Sequence, residues 1–430
     1  MIPVVRLRDA RDRLDAILAR GASFSPEIDA AARAILDDVR TRGDAALLDL
    51  TERFDGVRPP ALRVPDAVID ASADALDPDL RAIIEEAAGN VRRFHERQAE
   101  RSWFVDDPDG TILGQRVVPI ERVGLYVPGG TAFYPSSLVM NAVPALVAGV
   151  PDIHVVSPPQ RDTGWPHALV LATARLLGLT NVYAVGGAQA VGALAYGTAS
   201  VPRVDKIVGP GNAYVASAKK QVYGRVAIDS IAGPSEIVIL ADAHANATYA
   251  AADLLSQAEH DERASSVLVT PSPEFAARVA SEVARLTATL PRRAIIEASL
   301  RDYGAILVTE TMEEAITVTN DLAAEHLELL VADPWAYLPR IRHAGAVFLG
   351  PHSSEPVGDY FAGPNHVLPT GGTARYASAL GVHDFVRRQS VIAYSAERLA
   401  RDGAKIVRFA QAEGLDAHAL AVQLRLDDAR

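Results

Sequence analysis

The sequence predicts an α/β fold with parallel sheets, arranged as two lobes facing a cleft. Short β-branched runs alternate with helical stretches from about residue 112 onward, the signature of strand–helix–strand units. The 430 residues suffice for two or more packed units, and 49% hydrophobic with 22% charged residues is the composition of a globular chain.

In chain order, the first hundred residues read as helices. "SPEIDAAARAILDDVR" offers Ser25 as N-cap with Pro26 at the first helical position. "DPDLRAIIEEAAGNVRRFHERQ" carries apolar residues at helical spacing. Compact strands follow: "DIHVVSP", "NVYAVGG", "DKIVGPG", "EIVILAD", "SSVLVTP", "AILVTE", "LELLVA" and "AVFLG". Helices such as "PHALVLATARLLG" and "PEFAARVASEVARLTATL" separate several of them. Residues 351–372, rich in Gly, Pro, Asn and Ser, read as a long functional loop whose Tyr360, Phe361, Val367 and Leu368 argue against disorder. From about 380 the chain returns to helices.

Composition excludes several chemistries. A net charge of -12 without a basic run disfavours a nucleic-acid surface. The N-terminal stretch lacks an apolar signal core, and no run approaches the roughly 18 apolar residues of a membrane span. The expectation is a cytoplasmic protein without a membrane partner. With no cysteine there is no thiolate metal cluster and no thiol nucleophile. A metal here must be held by His, Asp, Glu or amide oxygen.

Two "AEH" triplets attract attention. If 247–260 is one helix, Asp253, Gln257 and His260 form a polar stripe, either solvated or converging on a ligand. Glu325 and His326 stand at a helix-to-strand junction, either as an exposed turn or as a general acid/base pair. Asp359, beside Gly358, is an Asx-turn residue or a carboxylate ligand. His418 lies in the C-terminal helical segment with Glu413 upstream, and a lone helical histidine is more often structural. Imidazole and oxygen donors suit zinc or manganese. The turns "VGGAQAVGALAYG" and "VGPGNAYVASAKK" each follow a strand and open a helix, which favours an anion such as a pyrophosphate. Neither has the spaced dinucleotide fingerprint. Tyr126 in "GLYVPGGTAFYPSS" lies against a ring or packs on the sheet.

Taken together, "YVPGGTAFYPSS", "VDKIVGPGNAYVASAK", "AGPSE", "ADLLSQAEHD", "EHLEL", "GDYFAGPNHVLPT", "GTARY" and "EGLDAHA" resemble the histidinol dehydrogenase family. The resemblance runs from about 25 to 425. It implies NAD-dependent, zinc-dependent oxidation of L-histidinol through L-histidinaldehyde to L-histidine. It implies Gln257, His260, Asp359 and His418 as zinc ligands, one ion per subunit, and Glu325 and His326 as catalytic residues. Ser235, His366 and Glu413 would hold substrate together with His326 and the ligands, and Tyr126, Gln189 and Asn212 would contact NAD. It also implies a homodimer of subunits with two incomplete Rossmann-like lobes, the C-terminal helices completing the partner's site. The expected segments are 1–22, helical; 23–125 with 239–378, the metal and acid/base lobe; 126–238, the NAD lobe; and 379–430, the helical tail. Ala324, Ala227 and Ser230 depart from the family's usual Pro, Gly and Met without touching a ligand. Without a thiol, the aldehyde must be attacked by water, with Glu325 as activator and His326 as base for both oxidations. The rivals are dehydrogenation of another small hydroxylated substrate, a zinc hydrolase, and a non-catalytic binding protein.

Overall fold

The computed structural model describes residues 2–20, 25–129 and 133–428. Its strands are β1 (Val4–Arg6), β2 (Trp103–Asp106), β3 (Ile112–Pro119), β4 (Arg122–Tyr126), β5 (Asp152–Ser157), β6 (Val182–Ala184), β7 (Lys206–Val208), β8 (Ala227–Ile228), β9 (Glu236–Ala241), β10 (Ser265–Thr270), β11 (Ala305–Val308), β12 (His326–Leu330), β13 (Ala346–Leu349) and β14 (Val386–Ala393).

Two sheets are wholly parallel, in the orders β1-β11-β10-β9-β12-β13 and β6-β5-β4-β7-β8. In the six-stranded sheet, Ile237 and Ile239 of β9 enter the core beneath helices Ala247–Ala258 and Pro273–Thr287. Val238 and Leu240 enter the opposite core, shared with helix Met312–Leu322. A strand buried on both faces reads as a continuous apolar run, which is why "EIVILA" shows no polar alternation. The five-stranded sheet is likewise covered twice, with Ile207 and Val156 on one side and Leu125, Val155 and Val208 on the other.

All eight runs expected as strands lie in these two sheets. Three expectations are corrected. The segment 1–22 is not purely helical, because Val4 and Val5 extend as the edge strand β1, paired with β11. The tail does not return directly to helix, since β14 pairs antiparallel with β3, and β3 with β2, in a third sheet. The 351–372 stretch contains a helix, Glu355–Tyr360, begun at Ser354 with Pro356 in its first turn. Helices Pro26–Arg42 and Asp44–Asp55, grouped by sequence with the metal-bearing segment, pack here on the five-stranded sheet through Leu36, Val39, Leu47 and Leu50. No helix among the described residues is long and apolar enough to cross a membrane.

Candidate active site

The site begins with the helix Ala247–Ala258, capped by the Asn246 carboxamide oxygen, which accepts from Thr248 N and Tyr249 N. Asp253 and Gln257 face the core rather than solvent, and Gln257 is fully buried. His260 lies two residues beyond the last turn. The polar stripe is therefore buried at Asp253 and Gln257 and reaches solvent at His260, with Gln257 directed at the amino ends of β9 and β12.

Helix Met312–Leu322 ends at Ala323, whose φ of 47° is the left-handed conformation in which helices commonly stop. The chain then turns into β12 with Glu325 and His326 both buried, which rules out an exposed charged turn. His326 Nδ1 lies 3.2 Å from the Glu236 carbonyl oxygen and 3.0 Å from Gln257 Oε1. Both neighbours accept, so the proton of the neutral ring sits on Nδ1 and the lone pair on Nε2. Nε2 has no hydrogen-bond partner among the described residues, and Asp359 Oδ1 stands 3.8 Å from it. Burial lowers the imidazole's affinity for a proton, keeping it a neutral base. Glu325 Oε2 accepts from Glu236 N at 3.0 Å, and burial beside the Glu236 carboxylate pushes its pKa well above the usual carboxylate range. Glu236 is itself fixed by Arg20 at 2.7 Å and by Gly371 N at 2.7 Å.

The helix Glu355–Tyr360 brings Glu355 and Asp359 onto one face at i and i+4. Asp359 is thus a helical residue, not an Asx-turn. One ligand atom from each of His260, Glu355 and Asp359 lies within 4.8 Å of the others. Glu355 Oε1 is 3.7 Å from His260 Nε2, while its Oε2 accepts from Ser256 Oγ at 2.9 Å. Glu355 escaped sequence reasoning; "SSEP" as a helix start, with Asp359 four residues on, was the signal that could have found it. Asp359 is pushed up to about 7 by burial and by the Glu355 charge, an arrangement a bound cation would relieve. Gln257 Nε2 and His326 Nε2 are both buried and, among the described residues, without a hydrogen-bond partner. Imidazole, amide and carboxylate donors without sulfur fit a divalent ion such as zinc. His366 packs beside them, its Nδ1 3.0 Å from the Asp359 carbonyl and its pKa lowered to about 4 by burial. A cavity of about 500 Å³, lined in part by His326, Asp359 and His366, opens here. Ser235 immediately precedes β9 and is half-buried.

The other expected site residues lie elsewhere. Tyr126 ends β4, and its hydroxyl accepts from Gly187 N at 3.0 Å. Gln189, in the first turn of helix Gly187–Tyr196, is buried with neither amide atom hydrogen-bonded among the described residues. Asn212 caps helix Ala213–Val222 by accepting from Tyr214 N and Val215 N. A second cavity, of about 510 Å³, lies beyond the carboxyl ends of β4 and β5 and includes Gly129, Pro158 and Asp55, at the edge where parallel sheets take their ligands. Glu413 and His418 stand exposed on the tail helices, and His418 is not part of the His260 cluster within the chain.

The family model described as "Histidinol dehydrogenase" matches residues 18–426. The chain belongs to the histidinol dehydrogenase family. It is 59% identical to the histidinol dehydrogenase of Halalkalibacterium halodurans over 93% of this chain and 94% of that one. It is 55% identical to that of Chlorobaculum tepidum, over 95% of each. The crystal structure of histidinol dehydrogenase from Elizabethkingia anophelis superposes with a TM-score of 0.92 at 33% identity, covering 99% of this chain and 98% of that one. As a histidinol dehydrogenase family member the chain is an enzyme, an oxidoreductase of histidine biosynthesis. Ala324 is buried just after the left-handed turn at Ala323.

Proposed function

We propose that this enzyme oxidises L-histidinol through L-histidinaldehyde to L-histidine with two equivalents of NAD, at a zinc site shared between two subunits. The observation that carries this reading is His326: a buried neutral imidazole, its Nε2 lone pair unpartnered, beside an imidazole–carboxylate cluster. Gln257, His260 and Asp359 would hold the zinc, with His418 supplied by a second copy. Bound there, the metal supplies a positively charged anchor for the substrate's amine and imidazole. Ser235, His366 and Glu413 would complete the substrate pocket. NAD, the hydride acceptor, would bind against Tyr126, Gln189 and Asn212 on the five-stranded sheet.

In the first oxidation His326 Nε2 takes the alcohol proton as the carbinol C–H bond breaks and its hydride leaves. Water then adds to the aldehyde carbon, Glu325 accepting a proton from it while protonated His326 returns one to the carbonyl oxygen, to give a geminal diol. His326 takes the diol proton as the second hydride leaves, and the product is the carboxylate. The sum is one alcohol, one water and two NAD giving one carboxylate, two NADH and three protons. The chain's lack of cysteine supports this thiol-free route.

The test is NADH absorbance on adding L-histidinol and NAD, with and without a chelator. A signal that the chelator abolishes and zinc restores is expected. Absence of signal with histidinol but not with another amino alcohol would reassign the substrate.

A further inference from the structure

The cavity beyond β4 and β5 contains a feature that packing does not explain. Asp55 is the last residue of helix Asp44–Asp55, followed by Gly56 in the left-handed conformation. Its Oδ2 is buried without a hydrogen-bond partner among the described residues. A carboxylate at a helix carboxyl end opposes the helix dipole, and an unpaired buried acceptor costs free energy. Fold stability therefore gives no reason for an acid here. Burial pushes its pKa to about 6, with the Arg161 guanidinium pulling the other way. Arg161 is held by its Nε donating to the Asp55 backbone oxygen at 3.0 Å, and it makes no ion pair with the carboxylate. Around the same cavity stand Phe54, whose ring is half exposed, and Pro158 and Pro159, flat apolar surfaces suited to a planar base. With Asp162 also at the wall, two carboxylates face one guanidinium, so the cavity leans negative.

A nucleoside pocket with an unpaired acid offers two acceptor oxygens to a vicinal diol and repels a phosphate at the same position. We propose that Asp55 is the cofactor-specificity residue of this enzyme, its carboxylate accepting hydrogen bonds from the adenosine ribose hydroxyls of NAD and rejecting the 2′-phosphate of NADP. This rests on the reading of the five-stranded sheet as the dinucleotide site.

The test uses full-length D55N and D55A, with F54A as a control for the pocket. NAD affinity is measured by titration calorimetry, and kcat/KM with NAD and with NADP is compared. Asp55 variants are expected to bind NAD about tenfold more weakly or worse, as for loss of a charge-assisted hydrogen bond. The preference for NAD over NADP should fall by at least about tenfold, with the melting temperature unchanged or higher. If F54A weakens NAD binding while both Asp55 variants keep the NAD/NADP ratio within twofold, the cavity is the cofactor site and the role given to Asp55 is wrong. If none of the three variants changes NAD binding, the cavity is not the dinucleotide site and the proposal falls with that reading. Should D55A melt early, D55N, which preserves shape, decides on the same ratio.

Discussion

Around His326 the side chain's role is set by what surrounds its other nitrogen. The Glu236 carbonyl demands a proton on Nδ1, so Nε2 is left as the base. We expect His326→Asn to lower the rates of both oxidations by about 10²–10⁴, the usual worth of general base catalysis, measured separately with histidinol and with histidinaldehyde. Glu325→Gln should impair chiefly the aldehyde step, because only that step needs water; equal loss in both half-reactions would refute the division of labour. Glu355 stands beside His260, the imidazole that the proposed function makes a metal ligand. Glu355→Gln should weaken metal retention roughly 10–100-fold in a chelator competition, and an unchanged dissociation constant would remove it from the metal's support. The sequence pointed to the "AEH" residues, yet left open whether they were buried. The burial of Glu325 and His326 depended on β9 lying beside β12, a neighbourhood between residues 89 apart that no local pattern encodes.

At the level of elements, strands buried on both faces were legible because they are dominated by apolar residues, as in the "VLV" of "SSVLVT". β1, β2 and β14 were not, since edge and solvent-facing strands mix polar residues, and β1 and β14 have partners far away in the chain. The helix Glu355–Tyr360 was hidden among prolines and glycines that usually mark loops. The glycine turn after β7 shows how one element is held. Gly209 has φ 115°, and a Cβ there would meet the Tyr126 carbonyl oxygen at 2.1 Å, so the turn must be glycine. Buried Lys219 donates to Gly209 O at 2.9 Å and pairs with buried Asp229, which accepts from Gly209 N at 2.8 Å. Lys219→Met should cost about 3 kcal/mol or more, read from chemical denaturation, because it strands a buried carboxylate. A loss below about 1 kcal/mol would mean that Asp229 finds other compensation.

Across the whole molecule, apolar side chains remain uncovered on the third sheet and the tail. Trp103, Phe104, Ile392, Phe409 and Leu424 are all more than half exposed. Such a surface on one chain supports the proposed homodimer, in which Glu413 and His418 of one copy enter the other's site. Mixing inactive H326N and H418N proteins under subunit exchange should then restore about one quarter of wild-type activity, since half the dimers are mixed and each has one intact site. No recovery after verified exchange would place His418 outside the partner's site. The account as a whole holds that a single thiol-free site performs both oxidations in succession. That is tested most directly by counting NADH formed per histidine released under limiting L-histidinol, with an aldehyde trap in solution. Two NADH per histidine and no trapped aldehyde are expected; one NADH per histidinol with the aldehyde captured by the trap would contradict it.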